Sequence, residues 1–131
     1  MIWGKKKIKK NQLLLIVVSG KFLGESICKI SENYLAIGVK SSILIIDLKK
    51  LKRIKEYNLG LFCWNLCVFE NYLFCGTNKI IYKFIINEDK LDLKKEIKLA
   101  REGVNCLIKL NKKTMVLSQK DKILIYHLNE I

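Results

Sequence analysis

Short apolar runs recur along the chain, and polar turns separate them. The runs are roughly four to eight residues long, rich in β-branched and aromatic residues, and bounded by Gly, Asn, Ser or Asp, which is typical of β-strands. A helix would need longer runs in which apolar residues recur every three or four positions. The hydrophobic pattern therefore predicts an all-β chain.

The strand pattern repeats along the sequence. The tetrapeptide Glu-Asn-Tyr-Leu occurs at 32–35 and again at 70–73, and Gly38 and Gly76 follow at the same offset. A looser third copy has Ser118 where the glycines stand. Similarity at a fixed period is typical of repeat architectures, in which each copy is one supersecondary unit. The sequence therefore predicts three units of similar structure.

Each unit contains three apolar runs, and the third run is apolar at most positions. These third runs are 43–48, 80–86 and 123–128. A strand that is apolar on both faces is expected in a sheet that is covered on both sides. We expect neighbouring units to provide that cover.

A fourth strand is expected after each third run. Residues 91–99 alternate between apolar and polar, which predicts a half-buried strand. Residues 51–57 are compatible with a short helix as well as a strand, because nearby apolar residues are three positions apart; we favour the strand. The third unit has no fourth strand of its own after 128. The apolar segment at 12–19 could supply it, or could be the outer strand of a preceding unit.

With four strands in roughly 40 residues, the units resemble the blades of the WD-repeat β-propeller family. Family blades typically close their third strand with an aromatic residue and Asp. The matching positions are 46–47, 84–85 and 126–127, and Asp47 keeps the acidic residue. The resemblance implies a partial propeller of about three degenerate blades, each made of four antiparallel strands. The alternative all-β fold is a small closed β-sandwich or barrel.

The resemblance divides the chain into two parts. Residues 1–21 form a basic N-terminal tail with a lone strand, and residues 22–131 form blades at about 22–59, 60–101 and 102–131. Propellers usually have about 4–8 blades, so three blades imply an incomplete ring. Open blade faces and strand edges favour association. We therefore expect that the chain forms an oligomer, docks onto another chain, or is a fragment of a longer chain.

The chain is strongly basic. Lys and Arg number 25 against 12 acidic residues, which gives a formal net charge of +13, and such an excess attracts polyanions. A compositional bias of an A+T-rich genome explains the same abundance of Lys, Ile and Asn. Five lysines near the N-terminus are the predicted polyanion-binding or nuclear-import site, with a solvated terminus as the alternative. They are Lys5, Lys6, Lys7, Lys9 and Lys10.

The five cysteines do not form a disulfide framework, because their number is odd and their spacing irregular. Free thiols are typical of a reducing compartment, so we expect an intracellular protein, cytoplasmic or nuclear. The apolar run at 13–18 follows a basic stretch, as in a signal peptide, but is shorter than the usual run. No segment reaches the roughly 20 apolar residues of a spanning helix, so no membrane association is expected.

No catalytic, cofactor-binding or metal-binding residues are predicted. His127 is the single histidine, and a packed strand residue is the expected reading. Cys67 and Cys75 are expected to be small buried core residues, since no tight cysteine pair suits zinc. The carboxylates at 88–92 lie in a polar turn and are expected to be solvated. We therefore do not expect an enzyme.

The leading functional hypothesis is a protein–protein interaction scaffold, a WD-repeat-like subunit or fragment of a larger assembly. Its expected partners are other protein subunits, or further copies of the chain that complete the propeller. The alternative is a basic, RNA-associated component of a ribonucleoprotein complex that makes weak RNA contacts. Counterion release predicts that such RNA binding would fall steeply with salt.

Overall fold

The structure is a computed structural model that describes residues 24–63, 65–99, 103–104, 106–120 and 122–127. These residues form three separate antiparallel sheets in which each strand pairs with the next one along the chain. The first sheet contains β1 (Gly24–Ser31), β2 (Tyr34–Val39), β3 (Ser42–Asp47) and β4 (Lys52–Asn58). The second contains β5 (Asn65–Phe69), β6 (Tyr72–Gly76), β7 (Ile80–Asn87) and β8 (Lys90–Lys98). The third contains β9 (Cys106–Asn111), β10 (Thr114–Ser118) and β11 (Ile123–His127).

The predicted all-β architecture is confirmed, and the two open alternatives are decided. The stretch that was compatible with a helix forms β4, which pairs with β3 along its length. The three sheets remain separate in the described residues, so they form neither a closed barrel nor a two-sheet sandwich. The described part is an open stack of three sheets.

The first two sheets pack face to face through apolar side chains. From the first sheet, β2 and β3 contribute Ala36, Ile43 and Ile45, all fully buried. From the second, Leu73 and Phe84 meet them. Because successive strand residues point to opposite faces, alternate residues of each strand enter this interface and the others face away.

Polar contacts join the outer strands of the same two sheets. Lys55 on β4 forms an ion pair with Asp89, at 3.3 Å between Nζ and Oδ2. The backbone N–H of Leu91 donates a hydrogen bond of 3.0 Å to the Tyr57 hydroxyl oxygen. The interface is therefore apolar at its centre and polar at its outer edge.

The second and third sheets pack in the same way. Phe69 and Phe74 of the second sheet stack edge to face with ring centroids 5.8 Å apart, and Ile81 lies beside them. Met115 and Leu117 of β10 cover this cluster and are buried. The third sheet is thus held by one of its two faces.

A glycine stands at each joint between sheets. A methyl group at Gly38 would lie 2.8 Å from Sγ of Cys63, the residue that leads into the second sheet. A methyl group at Gly76 would lie 3.0 Å from Cβ of Val104, which leads into the third. The repeated glycines therefore let each incoming linker approach the preceding sheet closely.

The sequence predicts that the third-run strand of each unit is covered on both faces. This prediction holds fully only for β3. Every residue of β3 is buried, whereas three of the eight residues of β7 are buried and four are partly buried. In β11 the residues alternate between exposed and half-buried. The prediction is wrong for β11, because Ile123 and Ile125 on its second face are exposed to solvent.

Candidate functional site

The second face of the third sheet is apolar and open to solvent. Ile108 on β9, Val116 on β10 and Ile125 on β11 are register partners, so their side chains form a row across the sheet. Ile108 is 50% exposed and Ile125 is 60% exposed. Ile123, 73% exposed, continues the surface along β11. We call these four residues the open face.

Charged residues flank the open face. The sequence from 102 to 131 contains five lysines and three acidic residues, Glu102, Asp121 and Glu130. Lys112 and Lys113 form the turn between β9 and β10 and are exposed, and Lys122 precedes β11 at the opposite end of the sheet. The open face therefore has an apolar centre with lysines near both of its ends.

The ladder between β10 and β11 determines which backbone groups of β11 point outward. The N–H of Gln119 donates a hydrogen bond of 2.9 Å to the carbonyl of Lys122. Hydrogen-bonded pairs alternate along an antiparallel ladder, so Leu124 also bonds to β10. The N–H and carbonyl groups of Ile123 and Ile125 consequently point to the other side, along the edge that no described strand occupies.

In the second sheet the equivalent edge is filled. There, β8 pairs with β7, and Lys83 is the register partner of Lys95. Lys83 points toward the third sheet, because it lies on the same face as Ile81, and its Nζ is 4.3 Å from the Tyr72 ring centroid. The pKa of Lys83 is lowered by partial burial and by the neighbouring ammonium groups of Lys95 and Lys94. The outer part of this face of the second sheet is therefore electropositive.

The cysteines lie mostly in the core, as predicted for Cys67 and Cys75. Burial raises the pKa of Cys28 to about 12 and that of Cys67 to about 11. Sγ of Cys75 lies 2.7 Å from Sγ of Cys63. Within the residues that the structure describes, no group of three His, Cys, Asp or Glu side chains could hold a metal ion. Cys106 is exposed and is paired in register with Ser118 at the end of the open face.

Other residues singled out by the sequence fall in different places. The tail lysines Lys5, Lys6, Lys7, Lys9 and Lys10 and the segment 12–19 lie outside the described residues. His127 is exposed rather than packed, so that expectation is wrong; it ends β11, where the described chain leaves one face uncovered. Of the turn carboxylates, Glu88 and Asp92 are exposed, whereas Asp89 binds Lys55.

Membrane-spanning helices are not found among the described residues, which contain no helix of the necessary length and apolar character. No protein-family profile matches the sequence, and no curated protein matches it. Solved structures, in contrast, share its architecture.

The arrangement of the three sheets is similar to part of several WD40 propellers. The WD40 repeats of RRP9 match with a TM-score of 0.73 and 10% identity, covering 87% of this chain and 38% of that one. U3-55K gives the same values. The β-propeller domain of Myceliophteria thermophila Cps50 (Swd1) matches with a TM-score of 0.69 and 17% identity, covering 83% of this chain and 41% of that one.

This chain has the fold of WD40 β-propeller blades. It spans less than half the length of the propellers that it matches. The three sheets are three blades, and the open face belongs to the third. Sequence reasoning predicted that an incomplete ring would expose a blade face, but not which one. The sequence carries no signal for the choice, because the apolar runs that form β3, β7 and β11 are alike.

Proposed function

We propose that this chain is a protein-interaction scaffold that holds a partner protein on the open face of its third blade. The observation that carries the proposal is the exposure of Ile108, Ile123 and Ile125 on one side of one sheet. Contiguous exposed apolar surface is uncommon on soluble monomers and marks interaction sites. The proposed role is binding rather than catalysis.

The geometry of the open face favours a protein as its occupant. Sheet faces pack on other sheets at about 10 Å through interdigitating apolar side chains, and both interfaces within this chain are built in that way. An apolar centre between charged ends also matches the usual anatomy of protein interfaces, which have an apolar core and a polar rim. The five free cysteines support a reducing compartment such as the cytosol or nucleus for this assembly.

The test compares two variants of the full chain as baits in extract from the source cells. The first, Ile108→Ser with Ile125→Ser, removes the apolar row. The control, Ile27→Ser with Leu93→Ser, removes two similarly exposed apolar residues, on β1 and β8. We expect the first variant to lose the proteins that both the native chain and the control capture. A bound partner should also slow alkylation of Cys106. Equal capture by both variants would refute the open face as a docking surface.

A second candidate function is RNA association, which the formal net charge of +13 favours. Lysine–phosphate contacts would give binding that weakens steeply with salt. Filter binding of oligouridylate at about 50 mM and 200 mM salt tests it, since several contacts predict a loss of at least tenfold between these conditions. No binding at the lower salt concentration would exclude this function.

A further inference from the structure

We infer that Cys63 and Cys75 are a redox-active pair, in which hydrogen peroxide oxidises Cys63 and the Cys75 thiol then closes a disulfide. The pair lies between the first two blades and is separate from the open face and its proposed function. Two features carry the inference: the positions of the two sulfur atoms and the surface linker that bears one of them.

The two sulfur atoms already lie in contact. Sγ of Cys63 is 2.7 Å from Sγ of Cys75, so a small displacement brings them to bonding distance. Both side chains are fully buried. On its other side Cys63 faces Gly38, where a methyl group would lie 2.8 Å from Sγ. The Cys63 side chain is therefore held against Cys75 with little room to turn away.

The fold, and not the spacing in the sequence, selects this pair. Cys67 is nearer to Cys63 along the chain, and short loops close at a lower entropic cost than long ones. In the structure, however, Cys67 packs with Phe69 and Phe74 toward the third blade. Cys63 and Cys75 belong to the cluster on the opposite face of the second sheet.

The linker into the second blade determines which thiol the peroxide reaches first. Residues 59–62 precede Cys63, and Phe62 is 48% exposed. The N–H of Cys63 bonds to the carbonyl of Lys40 at 2.8 Å. Surface segments of this kind open locally more often than the whole protein unfolds. Such opening exposes Cys63, whereas Cys75 stays in β6 between β5 and β7.

The protonation of Cys75 supports the same order of steps. Burial, and after it the hydrogen bond with Cys63, raises the pKa of Cys75. Its thiol therefore stays protonated at neutral pH, and thiols react with peroxide as thiolates. Cys75 does not compete for the peroxide and serves as the thiol that resolves the oxidised Cys63.

The reaction consumes two thiols and one peroxide. The Cys63 thiolate attacks one peroxide oxygen, the O–O bond breaks, and the leaving hydroxide takes up a proton to form water, which leaves a sulfenic acid. After the linker closes, the Cys75 sulfur attacks the sulfenic sulfur. The S–S bond forms, the S–O bond breaks, and the hydroxyl group leaves as a second water with the Cys75 proton. Two glutathione thiols reverse the step by exchange and become glutathione disulfide.

Peptide mapping of the full chain tests the pair. The reduced chain is treated with a small excess of hydrogen peroxide, blocked with N-ethylmaleimide and digested with trypsin. Cleavage after Lys55 and Lys79 releases Cys63, Cys67 and Cys75 in one peptide. We expect this peptide to lose two hydrogens and to carry a single maleimide, on Cys67. Dithiothreitol should restore labelling of all three cysteines.

Thermal melts measure what the disulfide does to the blade. It closes the loop between Cys63 and Cys75, which restricts the unfolded chain. The oxidised chain should therefore melt roughly 5 °C higher than the same sample after reduction. A lower melting temperature after oxidation would mean that the bond distorts the joint, which overturns the assignment.

Two variants separate the roles of the cysteines. Cys75→Ser leaves the sulfenic acid without a resolving thiol, so dimedone, which traps sulfenic acids, should label Cys63. Cys67→Ser removes a buried cysteine on the other face of the same sheet and should form the disulfide as fast as the native chain. The native chain in urea needs no substitution, and its pairing should shift toward Cys63 with Cys67.

The remaining outcomes overturn the inference. If the pair stays reduced while the exposed Cys106 is oxidised, both residues are ordinary core thiols. If Cys28, which lies in the tryptic peptide 22–29, becomes linked to Cys63, the resolving thiol is wrong. If the same linkage forms equally fast in urea, the fold does not select it. If dimedone does not label Cys63 in Cys75→Ser, the order of the steps is wrong.

Discussion

Asp47 shows how one side chain shapes a turn. Its Oδ1 accepts hydrogen bonds from the backbone N–H groups of Lys49 and Lys50, at 2.9 Å and 3.0 Å. These two bonds hold the pKa of Asp47 below its usual value, and the bond from Lys50 has the larger effect. The positive charges of Lys49 and Lys50 lower this pKa further. Asp47 therefore organises the turn between β3 and β4 as an anion.

The lowered pKa of Asp47 gives a prediction about acid stability. A carboxyl group with a lowered folded-state pKa stabilises the fold above its unfolded pKa, near 4, and this contribution is lost as the pH falls through the folded value. We expect Asp47→Asn to lower the melting temperature by a few degrees at pH 7 and to flatten its decline below about pH 4. Thermal melts at several pH values measure this. Asp92→Asn, at an exposed site, should leave the profile unchanged.

The buried thiols predict the opposite, alkaline dependence. The pKa of Cys28 is raised to about 12 and that of Cys67 to about 11, chiefly by burial. Their stabilising contribution is present below the unfolded thiol pKa and is lost as the pH rises toward the folded values. Each thiol should lower the free energy of unfolding by at most about 1.4 kcal/mol per pH unit above about pH 9.

Urea melts at pH 7, 9 and 10.5 test the alkaline dependence, and Cys28→Ala should make it shallower. Cys106→Ala is the matched control, because Cys106 is exposed. An identical alkaline slope in the native chain and in Cys28→Ala would contradict the assignment.

At the scale of elements, the joints between blades depend on small residues. Gly76 faces Val104 at the entry to the third blade, and Gly38 faces Cys63 at the entry to the second. Hydrogen bonds reinforce both joints, from the N–H of Cys63 to the carbonyl of Lys40 and from that of Val104 to Thr77. Each linker is thus fixed by backbone bonds at a point where side chains leave no room.

Gly76→Ala should therefore destabilise the chain by about 1–3 kcal/mol, the usual cost of overpacking a closed contact. Ser118 occupies the equivalent position of the third blade, where no described linker crosses, so Ser118→Ala should stay within about 0.5 kcal/mol. Chemical denaturation of both variants measures the difference. Adding Val104→Ala to Gly76→Ala should recover part of the lost stability. Equal effects of Gly76→Ala and Ser118→Ala would refute the role of the glycine.

The elements were largely predictable from sequence because strand runs and turns are local signals. The repeated Glu-Asn-Tyr-Leu motif marks the turn that enters β2 and β6, and alternation revealed β8. The sequence did not decide the structure of residues 51–57. Apolar residues three positions apart fit a helix, and only pairing with β3 selects the strand. The exposure of β11 was not predictable, since its sequence is as apolar as that of β3, whose outward residues Leu44 and Ile46 are fully buried.

At the scale of the molecule, three buried apolar clusters in the described residues carry stability, and the open face carries the proposed function. Ile108→Ser with Ile125→Ser should change the free energy of unfolding by less than about 0.5 kcal/mol per site, because both residues are exposed. Leu117→Ser on the buried face of the same sheet should cost roughly 3 kcal/mol or more.

Denaturant melts and static light scattering compare the two variants. The open-face variant should also scatter less at high protein concentration, since it exposes less apolar surface. A large loss of stability in that variant would mean that the open face is covered in solution.

The close seating of Cys63 against Gly38 has a consequence for synthesis on the ribosome. The first blade is made of consecutive strands, so it can complete its pairing as soon as residues through Asn58 have emerged. Its finished edge then offers the Lys40 carbonyl and the space at Gly38 to the arriving Cys63. Each blade becomes the template for its successor, so the chain assembles in the direction in which it is translated.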